Sequence, residues 1–324
     1  MRLRVLMEPL HGATYDQILA LARVTEEAGF DAFFRSDHYL GVEADDTTYL
    51  PTDSWTTLAG LARETSRMRL GTLMTASTFR HPGPLAVSVA TADAMSGGRV
   101  ELGIGAGWYE REHRYFGMPF PGTGERFDRL EEQLAVITGL WSTPPGETFG
   151  FEGRHYRIEA CANFPRATQQ PRPRIVIGGS GPRRTPTLAA RFADEFNAAF
   201  GRERGEQIAN FYRICESLGR DPGTVRLSTV LPVCCGSDRG EAQRRAAALG
   251  EGPGRLLGQG VVGTPGDVLG RLEDLSADGI ETVYFHVYDV DDLEHIRLLG
   301  AEVLSRLDGS SLHAARAGAA RPAG

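Results

Sequence analysis

Short apolar runs alternate with longer amphipathic stretches along most of this chain. Leu3 to Glu8 is an apolar run typical of a buried strand, and Thr14 to Gln17 has the spacing of a helix capping box. Apolar positions at helical spacing follow as far as Gly29, a residue type that commonly ends a helix. Asp31 to Asp37 is the next apolar run. This part of the chain therefore predicts a strand, a helix and a second strand.

The same alternation continues along the chain. The further predicted strands are Met68 to Ala76, Arg99 to Gly105, Arg174 to Gly179, Glu195 to Phe200, Val225 to Val233 and Glu281 to Tyr288. The further predicted helices are Ser54 to Thr65, Pro84 to Ser96, Thr123 to Trp141, one from Thr185 or Pro186, Gln207 to Leu218, one from Asp238, one from Thr264, and Asp292 to Leu307. Uninterrupted alternation favours a parallel sheet, and eight such units favour closure into a (β/α)8 TIM barrel.

One segment interrupts this rhythm. Residues 142–173 are rich in proline and glycine, and two short apolar stretches flank a turn at Glu152 to Arg154. The pattern predicts an inserted hairpin and connecting loop within one domain. We therefore expect a single barrel domain over residues 1–307, followed by a disordered tail over residues 308–324, which is heavy in Ala, Gly and Ser.

Composition excludes several classes of function. The net charge is −7 without a concentrated basic patch, which disfavours nucleic acid and anionic membrane surfaces as partners. The chain contains no lysine, so a Schiff-base mechanism and a P-loop are excluded, and any bound phosphate must be held by arginine or backbone N–H groups. The start lacks a signal core and no run is long enough to cross a bilayer, which predicts a cytoplasmic protein. The four cysteines lack the spacing of a zinc site or disulfide framework.

The first candidates for chemistry are Asp37 and His38, which follow the second predicted strand. Parallel α/β enzymes build their sites beyond the carboxyl ends of the strands, so an acid and an imidazole at this point indicate an active site. The alternative interpretation is turn chemistry, in which the aspartate side chain binds nearby backbone N–H groups.

Two glycine-rich segments follow later strands. Gly103 to His113 combines glycines, which let a planar or phosphorylated ligand approach the backbone, with a polar cluster at the same barrel mouth. Gly178 to Thr185 is a glycine turn before a helix, with Arg183 and Arg184 beside it, and this pattern predicts a phosphate site. Each segment could also be an ordinary turn. His286, at the end of the last predicted strand, could join the mouth or pack in the core.

Several motifs recur in one known family. They are Ser36-Asp37-His38, Ser54-Trp55, Arg69-Leu70-Gly71-Thr72, Ser96-Gly97-Gly98-Arg99, Glu101 to Trp108, Gly124-Glu125-Arg126-Phe127, Phe151 to Tyr156, and Gly178-Gly179. Taken together, the chain resembles the bacterial luciferase-like superfamily and, within it, the F420-dependent oxidoreductases.

The resemblance implies a barrel with insertions that binds coenzyme F420, or alternatively FMN, at its C-terminal mouth. It implies hydride transfer to or from an unidentified small organic substrate, with Asp37 beside the ring and His38 as proton donor or acceptor. It also implies a strand bulge with a non-prolyl cis peptide at Leu73 and Met74, residues that are otherwise most simply core. The residues expected at the cofactor are Asp37, Leu73, Met74, Ala76, Ala106, Gly107, Arg111, Gly178, Gly179, Ser180, Gly181, Arg183 and Arg184. Trp108 and His286 are expected in the substrate pocket.

Other interpretations stay open at this level. An FMN-dependent monooxygenase would need a flavin reductase as electron source, and a cofactor-binding protein without turnover is also possible. A metal-dependent barrel hydrolase using Asp37, His38 and His286 is disfavoured, because the first strand ends in Met7-Glu8-Pro9 without a His-x-His pair, and we predict no metal. A sugar phosphate substrate is not expected, because Trp108 replaces the acidic residue of the sugar-phosphate branch and lysines are absent. A homodimer is one assembly compatible with the resemblance.

Overall fold

A closed barrel of parallel strands forms the centre of the computed structural model, which describes residues 1–8, 12–41, 51–162, 165–199, 201, 203–250 and 257–309. The barrel strands are β1 (Arg2–Met7), β2 (Ala32–Arg35), β3 (Arg69–Thr72), β5 (Val100–Gly105), β8 (Arg174–Gly178), β9 (Glu195–Ala198), β10 (Arg226–Cys235) and β12 (Thr282–Val287). The short strands β4 (Thr75–Ala76) and β11 (Val261–Gly263) pair with β5 and β10. The ring closes because β10 pairs with both β9 and β12. The predicted (β/α)8 TIM barrel is confirmed.

Helices follow the strands and cover the outside of the barrel. They are α1 (Tyr15–Glu27), α2 (Ser54–Glu64), α3 (Pro82–Ser96), α4 (Glu110–Tyr115), α5 (Thr123–Ser142), α6 (Arg184–Phe192), α7 (Arg204–Ser217), α8 (Arg239–Ala248), α9 (Pro265–Ala277), α10 (Leu293–Leu299) and α11 (Ser305–Gly309), with a 3-10 turn at Pro222–Thr224. The predicted capping box at Thr14 and the predicted helix start at Thr264 are confirmed, whereas α2 is capped by Asp53 and not by Ser54, its first residue. Thr14 caps α1 with Gln17 reciprocating, and Thr264 caps α9 with Asp267 reciprocating. Among the described residues, none of these helices combines the length and apolarity needed to cross a bilayer.

The strands differ from the predicted ones at one functionally important place. The predicted strand Met68 to Ala76 is interrupted, because β3 ends at Thr72 and β4 begins only at Thr75. The peptide bond between Leu73 and Met74 is cis, as the resemblance implied. Met74 therefore lies at a break in the strand rather than inside it.

The remaining differences lie at the edges of the fold. The inserted hairpin is confirmed as β6 (Thr148–Glu152) and β7 (Arg157–Ala162). The short elements α4 and β11 were not predicted, and the last predicted helix is divided by a π-helical segment at Gly300–Leu304. Phe200, the predicted end of one strand, and residues 310–324 of the predicted tail lie outside the described residues.

Side chains along the barrel strands alternate between the helix layer and the barrel interior. On β1, Leu3 and Val5 belong to the large core between strands and helices, whereas Leu6 belongs to a separate interior cluster. That interior cluster consists of Leu6, Ala32, Phe34, Leu73, Val176 and Tyr284. Because Leu6 faces inward, Glu8, two residues further along, is directed to the mouth of the barrel.

An ion cluster fills the barrel interior below this apolar layer. Arg4 of β1 is fully buried and donates to Glu101 at 2.9 Å, to Glu195 at 3.4 Å and to the Tyr284 hydroxyl at 2.8 Å. Its Nε also contacts Asp31 at 2.7 Å. The positive charges of Arg4 and Arg69 outweigh the effect of burial and lower the pKa of Glu101 to about 2. The cluster therefore keeps Glu101 ionised inside the barrel.

Candidate active site

The site begins with His38, which the chain places just beyond the end of β2. Its Nδ1 lies 3.1 and 3.2 Å from the two carboxylate oxygens of Glu112 on α4. The backbone N–H of Tyr39 donates to the same carboxylate at 3.0 Å. Glu112 is buried, while 17% of the His38 side chain is accessible. The Nε2 atom of His38 has no partner among the described residues, so one ring nitrogen is fixed and the other is open to the mouth.

The surroundings of His38 favour its protonated form. Burial alone would lower the pKa of His38, but the hydrogen bond to Glu112 and the charges of Glu8, Glu112 and Asp37 outweigh it and raise that pKa. Because Nδ1 donates its hydrogen to a carboxylate, Nε2 is the atom that can gain or lose a proton. His38 can therefore act as an acid or a base through a single, defined atom.

A second histidine–carboxylate pair lies beside the first, on the neighbouring strands β12 and β1. The Nε2 atom of His286, near the end of β12, donates to Glu8 at 2.9 Å, and the Tyr288 hydroxyl contacts His286 Nδ1 at 3.0 Å. Burial would raise the pKa of Glu8, but the hydrogen bond from His286 and the charges of His286 and His38 lower it. The structure brings His286 to the mouth as expected, with both of its ring nitrogens engaged.

Asp37 occupies a different environment from His38. It is buried, its Oδ2 accepts from Thr75 at 2.7 Å and from Arg80 at 2.6 Å, and Arg80 also reaches Oδ1 at 3.3 Å. Arg80 further contacts Asp53 at 2.5 Å and the Tyr39 hydroxyl at 2.7 Å. Because both Asp37 oxygens are occupied within the protein, this geometry suits a residue that positions the segment after β2 better than one that exchanges protons.

The break between β3 and β4 forms the floor of the mouth. Leu73 is buried in the interior cluster, Met74 is half-buried against it, and Ala76 is 8% exposed. Glycines on the two adjoining strands make room for Met74. A Cβ atom at Gly105 would lie 2.9 Å from its Sδ, and one at Gly178 would lie 2.6 Å from its Cε.

The segment after β5 forms one side of the mouth. Ala106 and Gly107 are half-buried, and Gly107 has φ +77°, where a Cβ atom would lie 3.1 Å from Thr78 Oγ1 and 3.2 Å from the Ala76 Cβ. Trp108 is 63% exposed, and its ring stands edge-on to that of His38 with centroids 5.8 Å apart. Arg111 lies on α4 directly before Glu112. Trp108 thus lies beside His38 in space, and Arg111 is the neighbour of Glu112 in the chain. Ala106 and Gly107 precede them in the same segment.

The glycine turn after β8 is held by carbonyl contacts. Gln207 of α7 donates to the carbonyls of Gly179 at 2.7 Å and Gly181 at 3.2 Å. Within the described residues, the N–H groups of Gly179, Ser180 and Gly181 have no protein acceptor. The turn therefore presents donors to a ligand at the start of α6.

The two arginines beside this turn differ. The exposed Arg183 guanidinium contacts no acceptor among the described residues. Arg184 instead pairs with Asp128 of α5 at 2.7 Å and lies over the Phe127 ring, which directs it away from the turn. Arg183 is therefore the better placed of the two for an anion.

Several residues of the site were not singled out from the sequence. Glu112, Glu8, Arg80 and Gln207 each contact a predicted residue, yet they lie on separate elements. The sequence signal for Glu112 is the acidic start of α4, where Glu110 is an equally acidic neighbour. Only the orientation of that short helix distinguishes them, because Glu110 is exposed and Glu112 is buried.

No metal site accompanies these groups in the described part of the chain. Among those residues, no cluster of three or more His, Cys, Asp or Glu side chains has metal-binding geometry. His286 is paired with Glu8 rather than grouped with His38 and Asp37. The metal-dependent hydrolase interpretation therefore has no supporting site in these residues.

The closed parallel barrel carries a histidine–carboxylate pair, a floor packed against glycines and a donor-rich turn at its mouth, an arrangement suited to an enzyme that binds its ligand there. The family model described as luciferase-like monooxygenase matches residues 3–257. The chain belongs to this family, and the resemblance inferred from its motifs is confirmed.

Two relatives and one solved structure illustrate the range of the family. The chain is 38% identical over 187 residues to the F420-dependent glucose-6-phosphate dehydrogenase of Nakamurella multipartita, covering 57% of this chain and 52% of that protein. It is 30% identical over 174 residues to the FMNH2-dependent dimethylsulfone monooxygenase of Pseudomonas putida, covering 54% and 46%. The crystal structure of the monooxygenase RslO1 from Streptomyces bottropensis superimposes with a TM-score of 0.80 at 22% identity, covering 95% of this chain and all of that one.

The extent of these matches limits what they carry over. The chain spans about half the length of the curated relatives it matches. The solved structure shares the fold. The matches establish the family and the fold.

Proposed function

We propose that this chain is an oxidoreductase that transfers a hydride between coenzyme F420 and a small organic substrate, with His38 handling the accompanying proton. The observation that carries the proposal is the His38–Glu112 pair, which leaves a single ring nitrogen open at the barrel mouth. An acid–base group poised in this way supports a reaction in which a proton and a hydride reach, or leave, neighbouring atoms.

The residues present fit a planar cofactor with a phosphate-bearing tail. Leu73, Met74 and Ala76 would lie against the ring, with the Met74 side chain held in the space that the glycines at 105 and 178 leave. The N–H groups of the turn at 179–181 and Arg183, which contacts no acceptor among the described residues, would hold the phosphate. When bound, F420 supplies a two-electron hydride carrier, and the protein supplies binding, orientation and charge.

The chain's own residues then act in distinct ways. Glu112 accepts the Nδ1 hydrogen of His38, which fixes the tautomer and leaves Nε2 to give or take the proton. Asp37, neutralised by Arg80, anchors the segment that carries His38. The apolar interior beneath Met74 excludes water from below the ring site. On this assignment His38 is the catalytic residue, and Glu112 and Asp37 are positioning residues.

A second candidate is an FMN-dependent monooxygenase supplied with reduced flavin by a reductase partner. The similarity to the Pseudomonas putida relative favours it. F420 is preferred because the Nakamurella multipartita relative is the more similar in sequence. Arg111 and Arg183 at the rim also offer positive charge to the anionic tail of F420, which is longer than that of FMN.

The test is a cofactor titration combined with turnover. We expect tighter binding of F420 than of FMN, and consumption of reduced F420 without oxygen uptake. His38→Ala should keep F420 affinity but lower turnover about a hundredfold or more, the share usual for a positioned acid or base. His155→Ala, in the turn between β6 and β7 of the insertion, is the matched control and should keep turnover. Tighter FMN binding with oxygen consumption would favour the monooxygenase, and near-native turnover of His38→Ala would remove the assigned role.

A further inference from the structure

Three of the four exposed aromatic side chains in the described part of the chain lie in the segment after β5. Among the described residues, seven large apolar side chains are exposed, and three of them, Trp108, Tyr115 and Phe116, lie within one nine-residue segment. Trp108 is the most exposed, at 63%. An exposed indole is costly to leave in water, so its place beside a candidate active site marks a contact surface for a ligand.

Trp108 and Tyr109 together form a wall next to His38. Their ring centroids are 5.3 Å apart at an interplanar angle of 31°, and both rings stand edge-on to the imidazole, at 5.8 and 6.0 Å. The Tyr109 hydroxyl donates to the Gly41 carbonyl at 3.3 Å, which ties this ring to the segment after β2. A substrate whose reacting atom reaches His38 can therefore place its hydrocarbon part against these two rings.

The charged groups around His38 do not favour an anionic substrate once the rim cations Arg111 and Arg183 are assigned to the tail of the cofactor. The imidazoles of His38 and His286 are each paired with a carboxylate, Glu112 and Glu8 respectively. Even with both imidazoles protonated, these four groups carry no net charge. Arg80, the nearby guanidinium, is occupied by two carboxylates, Asp37 and Asp53. A phosphate or carboxylate on the substrate would meet no surplus positive charge from these residues.

We infer that the substrate is an uncharged, largely apolar alcohol or carbonyl compound whose hydrocarbon part packs against Trp108 and Tyr109. The inference rests on the proposed function, which it narrows. In the direction of reduction, the carbonyl carbon gains a hydride from reduced F420, and the carbonyl oxygen gains a proton from His38 Nε2. The C=O double bond becomes a C–OH group, F420 is oxidised by two electrons, and His38 regains its proton from water.

The experiment compares two ketones that differ only in charge, acetophenone and 4-acetylbenzoate. Equilibrium dialysis measures their binding to the full chain without cofactor, and consumption of reduced F420 measures kcat/KM. In both measurements we expect the neutral ketone to be preferred about tenfold or more. The reason is that the carboxylate of 4-acetylbenzoate would lose water on binding without gaining a cation as its partner. Acetophenone should also quench the fluorescence of the chain saturably, because Trp55 and Trp141 are 4% and 6% exposed and Trp108 is the accessible indole.

Trp108→Arg is the decisive variant. It places a cation on the wall at an exposed position, so folding should be unaffected and the preference for the neutral ketone should fall about tenfold or reverse. Tyr212→Arg makes a similar change at an exposed ring on α7 and should leave the preference unchanged.

Equal or tighter binding of 4-acetylbenzoate by the parent would overturn the inference. Unchanged preference in Trp108→Arg, or saturable binding of neither ketone, would overturn it as well.

The substrate assignment and the proposed F420-dependent function fail separately. A protein that oxidises reduced F420 but prefers the anion loses the substrate assignment alone. One that selects acetophenone in dialysis but does not bind F420 loses the cofactor assignment.

Discussion

Replacement of Arg4 by methionine should destabilise the protein by about 3 to 5 kcal/mol, the usual cost of breaking a buried ion pair from one side. Arg4 is fully buried, and its loss leaves two buried carboxylates without their shared cation. Glu101 keeps Arg69 as a partner, whereas Glu195 keeps only the Tyr284 hydroxyl at 2.6 Å and a distant Arg226 at 3.9 Å. Most of the cost therefore falls on Glu195.

The assay is reversible urea unfolding followed by the fluorescence of the buried Trp55 and Trp141, with the free energy extrapolated to water. The control is Arg23→Met, which breaks an ion pair of 2.7 Å whose partners are 53% and 45% exposed. Exposed pairs of this kind contribute about 0 to 1 kcal/mol. Replacement of arginine by methionine should thus lower the free energy of unfolding strongly inside the barrel and hardly at all on its surface.

Two further measurements separate the ionic cause from lost packing. Adding Glu195→Gln to Arg4→Met should recover part of the stability, because the uncompensated charge is removed.

The folded-state pKa of Glu101 lies at about 2, below its unfolded value, so its contribution to stability is present above about pH 4 and is lost as pH falls towards 2. The difference in unfolding free energy between the parent and the Arg4→Met variant should therefore become smaller at acidic pH. A loss below about 1 kcal/mol, or no recovery in the double variant, would refute the reasoning.

Three other outcomes follow from the site and its surroundings. Glu112→Gln should lower the pKa of His38 and move the pH profile of kcat/KM to lower pH; an unmoved profile would show that Glu112 does not govern the imidazole. Arg183→Ala should weaken F420 binding about tenfold or more in a fluorescence titration, and less at high salt, while Arg191→Ala on the same helix should not. Burial lowers the pKa of His295 to about 4, so unfolding free energy should decline as pH falls from about 6.5 to 4, and His295→Gln should flatten this decline.

The architecture was predictable because its causes are local. Capping residues such as Thr14 and Thr264, and apolar spacing within each segment, determine where helices begin and strands lie. Eight repeats of that pattern leave little choice of topology. The exceptions are short elements. The six residues of α4 and the three of β11 are too few to establish a period.

The roles within the site depended on distant contacts and were less predictable. Asp37 and His38 are neighbours at one strand end, yet Asp37 meets Arg80, 43 residues away, and His38 meets Glu112, 74 residues away. Likewise, Arg183 and Arg184 look equivalent in the sequence, but only Arg184 has a carboxylate on α5 within reach. Adjacent residues therefore acquired different roles from partners that no local pattern reveals.

The fit between Met74 and the glycines beside it also constrains how this family can diverge. The side chain at 74 fills the space that a Cβ atom at 105 would need, whereas at 178 the Asn197 carbonyl oxygen also lies there, 2.8 Å from such an atom. A shorter side chain at 74 would therefore relieve the crowding at 105 but not at 178. Substitutions at 74 and 105 should thus be correlated across descendants, with the shorter side chain at 74 arising first, whereas glycine should persist at 178.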